Sequence, residues 1–456
     1  MPAETILLRN RYNPAARSIE GYRASGGYQA LQKAIQMGPQ AVVEEVKKAN
    51  LRGRGGAGFP AGTKWTFLPP REKRTVTYLC VNADESEPPT FNNRTLMETD
   101  PHQLIEGILI ASFANAVTRA YIYIRAEMHE QYHILARAVE EACAAGLIGP
   151  NILGSGYGVD VYVHRGAGAY VCGEETGLIE SLEGKRGWPR IKPPFPAVAG
   201  LFGKPTIINN VETLCCVPHI IERGADWFLS VGPAGSSGPK LFCVSGPVRK
   251  PGVYEAAMGL PLKDLLFADE FAGGMLPGHE LKASFPGGLS MGVLTAAESM
   301  EMSMDFDAPR KFGLLGLGTA AVVVVSDQHR MADVLANVAR FYAHESCGQC
   351  TQCREGTGWM YKIARRIADG AGRPEDLNLL AEITRNMGMM PGMSICGLPD
   401  GAAFPVRTIV EKFRPELEAT IAAQRPGAFE AYTARFNLIT TDQLAASYSG
   451  RLLAAH

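Results

Sequence analysis

The cysteines late in the chain have the spacing most informative for chemistry. Cys347, Cys350 and Cys353 form a C-x-x-C-x-x-C run, and Cys396 follows later in the sequence. Thiolates are soft anionic ligands, and three of them placed three residues apart on a turn can face one point. Together with the distant fourth cysteine they favour one [4Fe–4S] cluster. A zinc ion or a redox-active thiol pair is the alternative, although zinc sites usually present two C-x-x-C pairs.

A glycine-rich segment, residues 53–64, offers a second kind of chemistry. It contains G-x-G-x-x-G, a pattern that marks a dinucleotide site only when a strand precedes it and a helix follows. Here a charged helix precedes it, which argues against the ordinary fingerprint. Glycines still let backbone N–H groups approach an anion or a flat ring, and Arg54 and Lys64 add positive charge. The segment is therefore a candidate ligand loop, with a structural turn as the alternative.

Three polar segments lie where predicted strands end or predicted helices begin. Residues 82–88 (Asn-Ala-Asp-Glu-Ser-Glu-Pro) follow a predicted strand, at the edge where open α/β sheets bind ligands, or form a solvated loop. Residues 166–176 contain a second glycine turn and two glutamates that either cap a helix or contact a ligand. Residues 209–213 open another helix, where two asparagines and a threonine bind a phosphate or act as an ordinary cap.

Four phenylalanines occur near these segments: Phe59, Phe67, Phe195 and Phe202. A purine ring stacks on such aromatic faces. They are candidates for a nucleotide platform, although each one taken alone is more often a core residue.

Alternating strands and helices are predicted to position the first three segments, and this alternation predicts a parallel sheet covered by helices. The predicted strands are Val76–Val81, Ala120–Ile124 and Val159–His164, and the predicted helices are Pro101–Thr118, Glu127–Ala145, Glu174–Leu182 and Val211–Ile221. Asp100 is the expected N-cap of the first of these helices. Residues 184–206 are rich in proline and are expected to form a rigid surface loop.

Two smaller domains are predicted to follow. A linker is expected at Pro233–Pro239, and one short helix, Pro261–Ala268, lies among strands that predict a small α+β domain. These strands are Lys240–Val244, Gly252–Tyr254, Leu281–Phe285 and Ala320–Ser326. Four helices with 3.6-residue periodicity then predict a bundle, and they are Met331–His344, Arg354–Ala368, Glu375–Met387 and Phe404–Ala423. The expected domains are residues 1–235, 236–328 and 329–456.

Composition limits the class of protein. The chain has 456 residues, which at about 150 residues per domain predicts roughly three domains. The net charge of -1 excludes the broadly basic surface of a dedicated nucleic-acid binder. No apolar run approaches the roughly 18 residues of a membrane span, and the N-terminus does not resemble a signal peptide. We therefore expect a cytoplasmic chain that reaches a membrane only through partners.

Seven ordered segments resemble the NADH-binding FMN/iron–sulfur flavoprotein subunit of respiratory complex I. They are LRGRGGAGFPAGTKW, NADESEP, HRGAGAYVCGEET, KPPFPA, INNVET, ESCGQCTQCREG and ICGLPDG. The resemblance runs from about residue 20 to 430. It implies an α/β Rossmann-like FMN-binding domain, a ubiquitin-like α+β (β-grasp, SLBB) domain and a C-terminal helical bundle that carries one [4Fe–4S] cluster.

The resemblance also implies roles for individual residues. The implied FMN contacts are Gly53, Arg54, Gly55, Gly56, Lys64, Asn82, Asp84, Glu85, Tyr170, Gly173, Glu174, Asn209, Asn210 and Thr213. The implied NADH contacts are Phe59, Lys64, Phe67, Glu87, Glu175 and Phe195, of which Lys64, Glu87 and Glu175 are the expected catalytic residues. The implied cluster ligands are Cys347, Cys350, Cys353 and Cys396.

The implied activity is that of an NADH:quinone oxidoreductase, in which NADH gives a hydride to FMN and electrons pass singly to the [4Fe–4S] cluster. The implied partners are a thioredoxin-like [2Fe–2S] subunit and a large multi-cluster iron–sulfur subunit, with the complex peripheral on the inner face of the plasma membrane. The alternative is the diaphorase subunit of a soluble NAD-linked hydrogenase or formate dehydrogenase. Many of those carry an added thioredoxin-like domain or ferredoxin-like tail that this sequence lacks, which favours the respiratory enzyme.

Overall fold

The computed structural model describes residues 5–388, 393–423 and 426–435. The first region is built from helices and a sheet. Its helices are Ile19–Ala24 (α1), Gln29–Met37 (α2), Pro39–Lys48 (α3), Ala61–Trp65 (α4), Asn92–Thr99 (α5), Pro101–Asn115 (α6), His129–Ala144 (α7), Glu175–Leu182 (α8), Pro196–Ala199 (α9), Val211–Arg223 (α10) and Ala225–Ser230 (α11). Its strands are Tyr78–Ala83 (β1), Arg119–Ile124 (β2), Asp160–Arg165 (β3) and Thr206–Asn210 (β4).

The four strands form a parallel sheet in the order β3-β2-β1-β4. The predicted parallel sheet is therefore confirmed. Asn82 near the end of β1 is in register with Asn210 at the end of β4. Since all four strands run the same way, the loops that follow β1, β3 and β4 meet at one edge of the sheet.

One strand of this sheet was not predicted. The sequence pattern places the end of the proline-rich loop at residue 206 and the start of a helix at Val211, but residues 206–210 pair with β1 as a strand. The run is only five residues long and has asparagine at its end, so its local pattern is weak. Pairing with the buried strand β1 supplies the backbone hydrogen bonds that hold it extended.

Asp100 is the N-cap residue of α6, as predicted, but without the expected side-chain hydrogen bond. Asp100 precedes α6, but its side chain caps no helical N–H, and instead its Oδ2 accepts from Asn10 Nδ2 at 2.8 Å. Burial raises the pKa of Asp100 to about 7, and the nearby Glu106 carboxylate adds to the rise. Its carboxyl is therefore a source of pH-dependent stability.

We expect Asp100→Asn to gain stability relative to the natural chain as pH rises from 4 to 7. The unfolded carboxyl ionises near 3.8 and the folded one near 7, so between these values the unfolded state binds fewer protons and ionisation favours unfolding. An amide at this position does not ionise. Thermal unfolding of both proteins at pH 4, 5.5 and 7 measures the difference, with the exposed Asp160→Asn as the control. A difference that is constant across this range would contradict the assignment.

The second region forms a small mixed domain. Its strands are Pro239–Ser245 (β5), Gly252–Ala257 (β6), Leu260–Pro261 (β7), Leu281–Pro286 (β8), Leu294–Thr295 (β9), Ser303–Met304 (β10) and Ala321–Ser326 (β11), and its helices are Leu262–Phe267 (α12), Ala296–Glu301 (α13) and Ala308–Lys311 (α14). Five strands form one sheet in the order β6-β5-β11-β8-β9, and β7 pairs with β10. The central β11 is parallel to β5 and antiparallel to β8, which confirms the predicted α+β character.

The third region is helical. It contains Met331–Glu345 (α15), Thr351–Ala368 (α16), Asp376–Met387 (α17), Leu398–Lys412 (α18), Arg414–Ala422 (α19) and Ala428–Arg435 (α20). The bundle is confirmed, but the prediction of one helix over Phe404–Ala423 is wrong, because α18 ends at Lys412 and α19 begins with Pro415 in its first turn. Proline has no N–H to continue the preceding helix and suits the start of the next.

Candidate functional site

Two cavities adjoin at the carboxyl edge of the parallel sheet. One, of about 440 Å³, contains Asp84, Glu85 and Glu87 in its wall and is called the carboxylate cavity. The other, of about 700 Å³, contains Phe59, Phe67 and Phe195 and is called the aromatic cavity. They share the wall residues Gly55, Ala57, Asn82, Gly173, Glu174 and Asn210.

The structure brings all the residues expected to contact FMN or NADH into the walls of these cavities. The carboxylate cavity has Arg54, Gly55, Gly56, Asn82, Asp84, Glu85, Glu87, Tyr170, Gly173, Glu174 and Asn210. The aromatic cavity has Gly53, Gly55, Phe59, Lys64, Phe67, Asn82, Gly173, Glu174, Glu175, Phe195, Asn209, Asn210 and Thr213. Phe202 lines neither of them and instead packs edge-on against Tyr78, with 6.0 Å between ring centroids.

Glu87 is fixed by groups from two other parts of the chain. Its Oε2 accepts from the Tyr170 hydroxyl at 2.6 Å, and its Oε1 accepts from the backbone N–H of Ser290 at 2.8 Å. Burial raises the pKa of Glu87, and these two hydrogen bonds oppose the rise. The carboxyl group is therefore held in one orientation at the cavity wall.

The carboxyl groups of Asp84 and Glu85 accept hydrogen bonds from different parts of the chain. Burial raises the pKa of each to about 7, so either carboxyl can hold a proton near neutral pH. Glu85 accepts from the backbone N–H groups of Asn93 at 2.7 Å and Arg94 at 2.9 Å, at the start of α5. Asp84 accepts from the hydroxyl of Ser86, two residues along the chain, at 2.6 Å. Glu85 thus ties its loop to a helix, whereas Asp84 keeps more acceptor capacity for a ligand.

The aromatic cavity has half-exposed rings at its mouth. Phe59, Phe67 and Phe195 are 44%, 53% and 58% exposed, so they are not core residues. Phe59 and Phe67 contact each other at 5.8 Å between centroids. An adenine ring is a suitable partner for such a group of exposed rings.

Charged groups lie beside these rings. Glu175 pairs with Lys64 at 3.6 Å and with Lys192 at 3.1 Å. Lys192 also donates to Glu174 Oε1 at 2.9 Å. The carboxylate of Glu175 therefore lies between two cations, and its oxygens can also accept hydrogen bonds from ribose hydroxyls.

Helix capping explains part of the polar pattern seen in the sequence. Glu174 Oε2 accepts from the N–H groups of Thr176 and Gly177 and caps α8, and Asn210 accepts from Thr213 N–H and caps α10. Both residues also line the shared wall. Capping and cavity lining are therefore combined in the same side chains.

Other candidates connect the loops to one another. Asn209 Oδ1 accepts from Trp65 Nε1 at 2.9 Å, and Thr213 Oγ1 accepts from the backbone N–H of Arg54 at 2.8 Å. The glycine-rich segment is thereby attached to the end of β4 and the start of α10. This attachment places its backbone amides at the edge of the sheet.

The residues present fit a flavin mononucleotide. The two joined cavities lie within the usual size range of cofactor sites. A Cβ at Gly55 would stand 3.0 Å from Asn210 Cβ, so the absence of a side chain there leaves the shared wall open. Backbone amides of the glycine-rich segment suit a phosphate, and asparagine and carboxyl groups suit ribityl hydroxyls and ring edges.

The four cysteines also fit the expected cluster. Cys350 precedes α16 and Cys396 lies just before α18. Burial raises the pKa of the Cys353 thiol to about 11 and that of Cys396 to about 12, and in each case the Cys347 thiol lies near enough to add to the rise. Among the described residues, no group of three or more His, Cys, Asp or Glu side chains is gathered closely enough to hold a single metal ion.

Tertiary structure shows which further residues line the two cavities, a placement that the sequence motifs did not predict. Cys396 and Gly397 line the carboxylate cavity directly, so the cluster site adjoins it. Residues 315–319 and Ser290 of the second region also line this cavity. Lys192 lines the aromatic cavity, and the only signal for it was its position in the KPPFPA segment.

This fold, with a flavin-sized cavity against a four-cysteine site, defines an iron–sulfur flavoprotein oxidoreductase. A family model described as the Nuo51 FMN-binding domain matches residues 46–219. The SLBB domain matches residues 241–294, and the NADH-ubiquinone oxidoreductase-F iron-sulfur binding region matches residues 333–420.

Relatives agree with this class. The chain is 50% identical to the NADH-quinone oxidoreductase F 2 subunit of Rhizobium meliloti (strain 1021), over 92% of this chain and 99% of the relative. It is 48% identical to the mitochondrial NADH dehydrogenase [ubiquinone] flavoprotein 1 of Dictyostelium discoideum, over 91% of this chain and 86% of the relative. Crystal structures of an NAD+-reducing [NiFe]-hydrogenase contain a similar chain. In the air-oxidized state the TM-score is 0.78, and the sequences are 36% identical over 92% of this chain and 67% of the hydrogenase chain.

The chain belongs to the family of NADH-quinone oxidoreductase F subunits. Its cofactors are FMN and one [4Fe–4S] cluster, and its substrate is NADH. Membership implies further subunits of the same complex. Across the described part of the chain, the structure contains no helix with the length and apolar character needed to cross a membrane.

Proposed function

We propose that this chain is the electron-entry subunit of an NADH:quinone oxidoreductase. FMN, when bound, accepts a hydride from NADH and releases electrons one at a time, chemistry that no side chain supplies. The observation that carries the proposal is the order of the site: exposed aromatic rings, then the wall shared by the two cavities, then Cys396. Nucleotide, flavin and cluster can therefore occupy one continuous path.

The side chains have distinct proposed roles along this path. Phe59, Phe67 and Phe195 stack on the adenine, and Glu175 accepts from its ribose. Glycine-segment amides with Arg54 hold the flavin phosphate, and the residues after β1 and β4 hold its ring and ribityl chain. Cys347, Cys350, Cys353 and Cys396 hold the cluster.

The electrons that leave this chain need acceptors in partner subunits. We propose that a thioredoxin-like [2Fe–2S] subunit and a large multi-cluster iron–sulfur subunit adjoin this chain and carry electrons towards quinone. The complex would lie on the inner face of the plasma membrane and reach it through those partners. We also propose domain limits at 235/236 and 328/329, since the three family matches fall within these limits.

A second function is favoured by one observation. The NAD+-reducing [NiFe]-hydrogenase chain has the same fold, so a diaphorase role in a soluble hydrogenase or formate dehydrogenase uses the same site. This chain covers 68% of the hydrogenase chain in its H2-reduced state but 99% of the Rhizobium relative. The higher sequence identity, 50% to the Rhizobium relative against 36% to the hydrogenase chain, supports the quinone-linked enzyme.

Anaerobic reduction by NADH tests the proposed function. The chain is purified with its natural partners, and visible absorbance and low-temperature electron paramagnetic resonance are recorded together. We expect flavin bleaching and a [4Fe–4S] signal within the same titration, followed by reduction of added quinone. Cofactor-loaded protein that does not respond to NADH would refute it, and reduction of NAD+ by hydrogen or formate without quinone activity would establish the second function.

Glu175→Gln is expected to raise NADPH oxidation relative to NADH oxidation by about tenfold, equivalent to about 1.4 kcal/mol. The substitution removes one negative charge beside Lys64 and Lys192, which lie 3.6 and 3.1 Å from the Glu175 carboxylate, so the two ammonium groups attract the 2′-phosphate more strongly. The ratio of kcat/KM values for the two nucleotides measures the effect. Glu180→Gln, on the same helix but outside both cavities, is the control. Adding Lys192→Met to the Glu175 variant should reverse most of the gain, and an unchanged ratio would show that Glu175 does not discriminate.

A further inference from the structure

Two histidines at the start of α7 form a cluster outside both cavities. The helix begins His129-Glu130-Gln131-Tyr132-His133, which has the H-E-x-x-H spacing. Residues four apart in a helix lie on one face, one turn from each other. Both imidazoles are exposed, and neither lines the carboxylate or the aromatic cavity.

The two rings meet in a geometry suited to a shared metal ion. Their Nε2 atoms lie 3.3 Å apart, and the rings are nearly perpendicular, with 4.5 Å between centroids. Zinc–nitrogen bonds are about 2.0–2.1 Å long, so two of them at a tetrahedral angle separate their nitrogens by about 3.3–3.4 Å. In the free protein one Nε2–H donates to the other Nε2, and a metal ion can take the place of that proton.

The residues around the two histidines restrict one imidazole and determine how many protein ligands a bound metal ion would have. The Tyr132 ring contacts His133 edge-on at 5.2 Å between centroids, which restricts the imidazole before any ion binds. Among the described residues, no third His, Cys, Asp or Glu completes a metal centre. The H-E-x-x-H spacing therefore does not make a peptidase, which needs a third ligand, and water would fill the remaining positions.

We propose that His129 and His133 form a two-histidine surface site for a divalent transition-metal ion of the class that imidazole prefers, such as Zn²⁺. The site is independent of the flavin and of the cluster, because its ligands come from one helix turn that contributes to neither. It also does not depend on the electron-entry function.

Zinc titration of the FMN- and cluster-loaded protein tests the site. Isothermal titration calorimetry should show one Zn²⁺-binding event that both His129→Ala and His133→Ala lose. Diethylpyrocarbonate footprinting read by mass spectrometry should show that Zn²⁺ protects His129 and His133 together. His329→Ala replaces another exposed histidine and should keep the event, which provides the matched control.

The outcomes are distinct because both imidazoles are exposed and their removal leaves the core unchanged. An isotherm that is the same in His133→Ala as in the natural chain overturns the proposal. Loss of the event in only one of the two variants also overturns it, since a chelate needs both rings. NADH-dependent flavin bleaching in the two variants should equal that of the natural protein, which separates this test from that of the proposed function.

Discussion

Cys396→Ala is expected to abolish the [4Fe–4S] cluster while the flavin is retained. Of the three expected ligands in the C-x-x-C-x-x-C run, Cys347 and Cys350 precede α16 and Cys353 lies in its first turn, whereas Cys396 reaches the site from the turn before α18. A methyl group cannot ligate iron, so one corner of the cubane would lose its protein ligand. Cys396 contributes to the wall of the carboxylate cavity, but the side chains expected to hold the flavin belong to residues 53–64, 82–87, 170–174 and 209–213 and should stay in place.

The measurement is iron content, flavin content and electron paramagnetic resonance on the protein purified with its partners. We expect the cluster signal to disappear and quinone reduction to fall to background, while NADH still bleaches the flavin. Cys143→Ala is the matched control, because Cys143 is an exposed cysteine outside the cluster run, and it should leave every readout unchanged. A normal cluster signal in Cys396→Ala would show that the fourth ligand is a different residue.

Lys240→Met is expected to destabilise the chain by about 3–5 kcal/mol, since it leaves a buried charge without its partner. Lys240 at the start of β5 donates to Glu212 Oε2 at 2.6 Å, and the two side chains are 1% and 0% exposed. Glu212 also accepts from the backbone N–H of Leu241 at 2.9 Å. The pair joins the small mixed domain to α10, whose first turn follows Asn209 and Asn210.

The consequence should extend to the site. Because Glu212 lies two residues after Asn210, loss of the pair is expected to weaken flavin retention as well as stability. Urea unfolding followed by tryptophan fluorescence measures the free energy of unfolding, and the amount of flavin released on dilution measures flavin retention.

An exposed ion pair supplies the matched control. Lys48 and Asp226 are 2.8 Å apart with both side chains exposed, so Lys48→Met should cost at most about 1 kcal/mol. The double variant Lys240→Met with Glu212→Leu should recover part of the loss, because it removes the unpaired charge. Equal losses of unfolding free energy in Lys48→Met and Lys240→Met would show that burial of the Lys240–Glu212 pair does not determine its contribution to stability.

Several features were determined by the sequence alone. The cysteine spacing predicted an iron–sulfur cluster, and residues 333–420 match the iron-sulfur binding region of the family; ligand type and number are local properties of a short run and one later residue. Periodicity identified the alternation of strands and helices, because strands that alternate with helices form a parallel sheet. The pairing of His129 and His133 was not predicted from the sequence, and only the structure shows that their rings meet.

Other features were decided by tertiary structure. β4 has too few residues for a clear pattern, and its pairing with β1 makes it a strand. The helix predicted over Phe404–Ala423 is two helices, α18 and α19, because Pro415 has no N–H with which to continue the preceding helix. Asp100 occupies the N-cap position of α6, but its side chain accepts from Asn10 instead of from a helical N–H.

The site itself shows the same division. Glycines, acids and asparagines were recognisable as candidates from short motifs, but a motif does not reveal which other loop will face it. Ser290, residues 315–319 and Lys192 complete the cavities from distant parts of the chain, and Glu212 finds Lys240 across a domain boundary. Local chemistry is encoded by neighbouring residues, whereas the walls of a cavity and the partners of buried charges depend on contacts that form only when the whole chain packs.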